Sequence, residues 1–461
     1  MAFLGIDLGT SFIKAAILDL DACQLQQVRR IPFPEPIAGL GSLKSEFDPR
    51  SIVDAVSGLI RQLADFPVQF EGLVMCTQMA SLVLMDNKGR ARSNCIGWRD
   101  QGALEPHPSG SGSYYEVLKR RITPEQKREL GNEMPPGTPI SFLFWLAEQG
   151  NLERGLVPVS LADFVLSTLC GSPPSAESTN AMSYALLKLE TLTWHEDVIK
   201  ALGLGKLHLP PIRRHGEVVG MLKVDANDVP CYAPVGDYQC ALAGALLAED
   251  ELSLNISTGS QVSRLTSHLL LGDYQTRPFF DGKFTNMFSH LPAGRSLNVL
   301  VDLLSELPRS SGEAIPDPWE YIAQAAASVE QTDLQVNLSF FRGPCGHQGA
   351  VSNIREKNLT VGTLFRASFE NMAQNYYDCA LRIWPDRSWR NLVFSGGLAR
   401  KTPLLRNIIE RRFQTGSRLC PLEEDTLLGL VVLARVFSRR AASVEQSMDD
   451  LRRHFVMESR V

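Results

Sequence analysis

Apolar residues at the start of the chain fall into two short runs, FLGID and FIKAAILD, on either side of the turn LGTS. That pattern predicts two strands joined as a hairpin. From Ser51 to Phe66 the apolar positions Ile52, Val56, Leu59, Ile60 and Leu63 recur at helical spacing, and the continuous run GLVMC at 72–76 predicts a buried strand. Helix followed by strand is α/β patterning. A small-residue apolar helix, CALAGALLA at 240–248, precedes a second β-rich hairpin, LSLNISTGSQVSRL at 252–265. The second half therefore opens as the first does, which divides the chain into domains 1–245 and 246–461. Near the C-terminus an amphipathic helix runs through Phe365, Phe369, Met372, Tyr376 and Leu381, followed by the strand NLVFS at 391–395, the turn GGLAR and a helix led in by Pro403. Two stretches rich in Pro, Gly and Ser, at 105–115 and 133–139, predict surface loops.

Length agrees with two domains, since 461 residues exceed what one hydrophobic core usually supports. Apolar residues make up 44% and charged residues 21%, as in an ordinary globular chain. The net charge of −5, with Lys and Arg dispersed, argues against nucleic acid as the main partner. The nine cysteines form no C-x-x-C pair and read as buried apolar residues of a reducing compartment. The N-terminus carries Asp7 inside its apolar run and does not fit a signal peptide. The late apolar run Thr426–Phe437 is too short to span a bilayer. A cytoplasmic protein without a membrane partner is expected, with room for a homodimer.

Four constellations carry candidate chemistry. The first is Asp7 with Gly9, Thr10, Ser11 and, on the next strand, Lys14. A glycine turn exposes successive backbone N–H groups, hydroxyls beside it add donors, and the hairpin can hold polyphosphate oxygens. Asp7 is placed to take hydrated Mg²⁺, which favours one or two carboxylates plus substrate phosphates. The plain alternative is an ordinary hairpin turn. The second is the matching turn Ser257-Thr258-Gly259-Ser260, which alone is what most turns look like. The third is PVGDYQ at 234–239, before the small-residue helix. There Asp237 is either a helix cap or a general base for a hydroxyl attacking a γ-phosphate. The fourth is SGGLAR at 395–400, where Gly396 and Gly397 would let a flat ligand such as adenine approach the backbone. Gln78 and Met79 after one strand, with Trp98 and Asp100 after another, suit a sugar: Gln and Asp bond vicinal hydroxyls and an indole face covers an apolar ring face. A buried Trp is more often core. No P-loop, G-x-G-x-x-G or H-E-x-x-H motif competes, and the dispersed histidines read as structural or surface residues.

Taken in order, GIDLGTS at 5–11, Gln78-Met79, W-x-D at 98–100, ADFVLSTLCG at 162–171, Trp194, PVGDYQ, NISTGSQ at 255–261 and SGGLARKTPLL at 395–405 resemble the FGGY carbohydrate kinases. The resemblance implies an α/β fold of two actin-like (ribonuclease H-like) ATPase domains with an active site in the cleft between them. It implies ATP and Mg²⁺ as cofactors and a sugar as substrate, with Asp237 as base and Asp7 placing the metal. Gly9, Thr10, Ser11, Lys14, Thr258 and Gly259 would hold phosphates, Gly396 and Gly397 adenosine, and Gln78, Asp100 and Gln239 the sugar. NISTGSQ and the Leu-Cys-Gly-x-Pro segment look most like the sedoheptulokinase branch. The chain departs from the usual pattern where Ala80-Ser81 replaces His-Gly after Gln-Met, and where Gln101-Gly102 lacks the Arg that commonly follows W-x-D. An imidazole and a guanidinium of the usual sugar site are thus missing. The rival reading is a sugar-binding or regulatory protein on the same fold that has lost activity.

Overall fold

The expected first hairpin forms between the antiparallel strands Ala2–Leu8 and Phe12–Asp19, in a register that places Asp7 opposite Lys14. In the structure, a computed structural model that describes residues 2–310, 312 and 317–458, this hairpin lies inside a seven-stranded sheet. Its order is Val218–Val224, Asn227–Tyr232, Phe70–Thr77, Ala2–Leu8, Phe12–Asp19 and Gln24–Pro32, with the short strand Val235–Gly236 beside the end of Phe70–Thr77. Ala2–Leu8 is parallel to Phe70–Thr77 and fully buried, which explains why its residues are apolar on both faces apart from Asp7.

The second hairpin pairs Glu251–Ile256 with Ser260–Thr266 and belongs to a six-stranded sheet. There Asn391–Ser395 runs parallel beside Glu251–Ile256, with Ser417–Leu419 next to it. On the other side lie Phe284–Leu291 and Gln275–Pro278. The two sheets therefore share a hairpin beside parallel strands, the echo read from the sequence.

Between the sheets lie two helices, Asp237–Gly244 and Asp425–Phe437, in one core with Phe3, Leu18 and Val74 of the first sheet and Leu265, Met287 and Val393 of the second. The helices Pro49–Ala64 and Leu161–Cys170 cover the far face of the first sheet, and Val361–Ile383 with Pro403–Phe413 that of the second. The central pair crosses at glycines: a Cβ on Gly244 would lie 1.8 Å from the Asp425 carbonyl oxygen, and one on Gly429 would lie 1.9 Å from that of Cys240. Any larger side chain at either position would push the helices apart, so small residues set their spacing.

Three sequence expectations shift. The small-residue helix begins at Asp237 rather than 240 and ends at Gly244, short of 248. The turn GGLAR is itself a short helix, Gly397–Lys401, before the helix that starts at Pro403. The apolar run at 426–437 is the central helix Asp425–Phe437, and no helix among the described residues is long and apolar enough to cross a membrane.

Candidate functional site

In the first sheet three loops leave the same edge, because the strands before them are parallel. Gln78 N–H donates to Leu8 O at 2.7 Å, and Gly236 pairs with Thr77. The Gly9-Thr10-Ser11 turn, the Gln78-Met79 pair and Asp237 are thereby neighbours. Trp98 Nε1–H donates to Thr10 Oγ1, whose hydroxyl donates to Gln78 Oε1, each at 3.1 Å. Thr10, Gln78, Met79, Trp98 and Asp237 share the wall of a cavity of about 420 Å³. Ser11 lies beyond that partition, on a separate cavity of about 290 Å³ that also touches Thr10, Gln78 and Trp98. Asp237, the first residue of its helix, is held from behind: Gly236 N–H donates to Thr179 Oγ1 at 3.0 Å, and the Thr179 backbone N–H and hydroxyl both bond Glu177. Nothing in the segment AESTN at 176–180 advertised that role in the sequence.

Carboxylates gather beside this cavity. Thr426, at the start of the central helix, donates its hydroxyl to Asp7 Oδ2 at 2.7 Å, and Lys14 pairs with Glu424 while lying 3.9 Å from Asp7. Burial pushes the Asp7 carboxyl up. Burial, then the charge of Asp7, carries Asp237 up to about 7, partly offset by Arg277, and burial carries Asp425 up to about 6. Beyond burial, the charge of Asp7 raises both Asp237 and Asp425, so the cluster is short of positive charge. Asp7, with Lys14 answering only part of that demand, suits a hydrated Mg²⁺ that takes its other ligands from water and phosphate; among the described residues no group of three or more His, Cys, Asp or Glu side chains is placed to hold an ion by itself.

The second sheet presents its turns along the corresponding edge. Asn255 Nδ2 donates to Ser395 Oγ at 3.0 Å between the parallel strands, so the turn 257–260 and the Gly396-Gly397 turn are adjacent. Gly396 has φ +88°, and a Cβ on it would lie 2.4 Å from Ile256 O, whereas open space surrounds the Cβ positions of Gly259 and Gly397. Both positions are open on the side where a side chain would stand. Arg400 binds the carbonyls of Cys420 and Leu422, fixing the loop that enters the central helix whose start touches Asp7 and Lys14. The hairpin-turn edges of the two sheets are connected through that helix.

Two expected sugar ligands lie outside the wall of the cavity. The Asp100 carboxylate is 2% exposed and accepts from Ser45 N–H and Gly102 N–H, each at 2.8 Å, so it fixes two loops and does not line the cavity. Gln239 is 0% exposed, with its amide donating to Pro278 O at 3.1 Å in the core. Among the cavity residues that escaped the sequence reading are Glu133, Gln275, Arg277 and His290. Glu133 lies in a stretch read only as surface loop yet is buried, and His290, read with the other histidines as structural or surface, is an exposed residue in the cavity wall.

The arrangement can hold a polyhydroxylated molecule against an indole, with a carboxylate of near-neutral pKa in its wall and hydroxyl-glycine turns close by. A family model described as the FGGY family of carbohydrate kinases, N-terminal domain, matches residues 2–244. The chain is 23% identical to a sedoheptulokinase of Mus musculus over 89% of its length and 92% of that protein's. It is 24% identical to a xylulose kinase of Lactococcus lactis over 64% of its length and 60% of that protein's. Among solved structures, a ligand-bound xylulose kinase from Lactobacillus acidophilus superposes with a TM-score of 0.84 at 18% identity, covering 97% of this chain and 91% of the other. A Plasmodium falciparum glycerol kinase with ADP superposes at 0.82 and 18% identity, covering 98% and 92%. With the two actin-like domains of that fold and a family match across the half that carries Asp7, Gln78 and Asp237, the chain belongs to the FGGY family of carbohydrate kinases, phosphotransferases that act on sugars.

Proposed function

We propose that this kinase transfers the γ-phosphate of ATP to a hydroxyl of a ketose, sedoheptulose or a pentulose, with residues 1–245 and 246–461 acting as the two domains that enclose the substrates. The observation that carries the reading is Asp237, in the wall of the 420 Å³ cavity with its carboxyl at about 7. A group of that pKa accepts a proton near neutral pH and releases it afterwards. Support for the substrate class comes from the sedoheptulokinases, similar along nearly the whole chain, and from the xylulose kinase.

Trp98, Gln78 and Met79 position the sugar so that one hydroxyl meets Asp237, which takes its proton as the oxygen attacks phosphorus. Thr10, Ser11, Lys14, Thr258 and the backbone at Gly9 and Gly259 hold phosphate oxygens, while Gly396 and Gly397 give the adenosine room. Asp7 would hold Mg²⁺, which when bound neutralises phosphate charge. Closing the cleft excludes water, which would otherwise take the phosphoryl group. The test is ADP release measured with ATP, Mg²⁺ and a panel of ketoses and polyols. Ketose-dependent ADP supports the reading, whereas ADP released at the same rate without any sugar, or no ADP at all, contradicts it.

A further inference from the structure

Ala80, Ser81, Gln101 and Gly102 leave the sugar site without the imidazole and guanidinium that the family resemblance led one to expect there, yet the cavity has one of each. Arg277 and His290 come from the second sheet, on the strands Gln275–Pro278 and Phe284–Leu291. Both belong to a continuous polar chain. Arg277 Nε–H and Gln275 Nε2–H donate to Glu133 Oε1, each at 2.7 Å, and the ion pair is nearly buried, at 13% and 8% side-chain exposure. Ser289 Oγ–H donates to Gln275 Oε1 at 2.6 Å and lies 2.8 Å from His290 Nδ1. Because the serine's single proton is committed to Gln275, Ser289 Oγ accepts from His290 Nδ1–H, which leaves Nε2 as an acceptor.

The chain is braced where the two halves touch. Thr276 N–H donates to Gly131 O at 3.1 Å, and Asn132 Nδ2 donates to Tyr274 O at 2.7 Å. A Cβ on Gly131 would lie 2.1 Å from Thr276 O, so glycine is what lets the loop carrying Glu133 reach the strand carrying Arg277. Arg277 also lies over the Tyr238 ring, 4.7 Å from its centroid. His290 adopts φ +59°, a backbone conformation that non-glycine residues hold mainly where surrounding structure imposes it, often at functional sites.

We propose that Arg277 and His290, held by Glu133, Gln275 and Ser289, form the wall that selects the acceptor: a guanidinium donor and an imidazole acceptor that together read hydroxyls of an uncharged polyol. The charge balance favours a neutral acceptor over a sugar acid. Arg277 is already matched by Glu133, Asp237 adds a second carboxylate, and a bound carboxylate would add a third negative group against one cation. This inference rests on the kinase reading, and its test separates the two.

His290→Asn, whose side chain tolerates positive φ, and Arg277→Lys, which keeps the charge but not the fork, are compared with the parent in two assays. One is steady-state turnover with the best neutral acceptor and its epimers. The other is the rise in Tm caused by the acceptor with a non-hydrolysable ATP analogue. A lost hydrogen bond from a polar site predicts KM for the acceptor raised about 10-fold or more, a collapsed preference between epimers, and KM for ATP within about twofold of the parent. Unchanged acceptor KM and epimer preference in both variants overturn the wall, as does a parent enzyme that prefers gluconate to every neutral sugar. If the parent releases no ADP but the acceptor raises its Tm and not that of His290→Asn, the wall stands and the kinase reading falls. If the acceptor raises both equally, the wall falls too.

Discussion

Thr426 donates its hydroxyl to Asp7 across 419 residues of chain, at 2.7 Å. One end of that bond sits at the edge of the first sheet and the other at the start of the helix following the last strand of the second. The bond, with the neighbouring Lys14–Glu424 pair, ties the turn edge of the first sheet to that helix, and on the proposed function this is where the two halves hold phosphate. Thr426→Val should therefore lower affinity for Mg·ATP several-fold while costing about 1 kcal/mol of stability, the usual worth of one such bond. Thr426→Ser should restore both. Calorimetric nucleotide binding and denaturant unfolding check the pair of effects, and unchanged nucleotide affinity in the valine variant would remove the link.

Asp237→Asn preserves shape and removes the proton acceptor. General bases typically contribute 10²–10⁴-fold, so kcat should fall by about that factor while nucleotide still binds. Turnover within about threefold of the parent would take Asp237 out of the base role.

The glycine crossing of the central helices predicts a stability effect with no change in the site's chemistry. Gly429→Ala places a Cβ against the Cys240 carbonyl, where 1.9 Å is available. Overpacking of this kind costs about 1–3 kcal/mol, read as a lowered urea midpoint with unchanged slope. The same substitution at Gly259, whose Cβ position is open, should leave the midpoint in place.

Asp163 gives a prediction in pH. It is buried behind the site among Ser160, Asn180 and Glu177, and burial carries its carboxyl up to about 8. Between about pH 4 and 8 the folded protein holds a proton that the unfolded chain has released. The unfolded state binds fewer protons there, so stability falls as pH rises through that window. Glu177, also raised by burial, acts in the same direction. Asp163→Asn keeps an uncharged group in place, and its Tm relative to the parent should climb from pH 5 to pH 8. A difference constant with pH would contradict the raised carboxyl.

Most of the fold was legible because its signals are local. The two hairpins, the helix through Ile52 and Leu63, and the strand at 391–395 depend on periodicity within a few residues, and each formed nearly where expected. That the turn at 9–11 and Asp237 stand together was legible only in part: each follows a strand, and the parallel pairing of those strands with Phe70–Thr77 brings their ends to one edge. Glu133 and Arg277 were not legible. They stand 144 positions apart, each a single charged residue in an unremarkable segment, and only the pairing of Gly131 with Thr276 brings them together. The surroundings of Asp100 and Gln239 were hidden for the complementary reason: residue type shows that a side chain can bond a hydroxyl, but not that backbone groups hold the Asp100 carboxylate and the Gln239 Nε2 in the interior.

The most direct test of the central claim is a crystal structure with an accepted sugar and a non-hydrolysable ATP analogue. The account predicts the sugar in the 420 Å³ cavity against Trp98 and Gln78, one hydroxyl about 2.6–3.2 Å from the Asp237 carboxylate, and the analogue's terminal phosphate between the turns at 9–11 and 257–260. A sugar bound elsewhere, or a terminal phosphate with no hydroxyl and no Asp237 beside it, would contradict it.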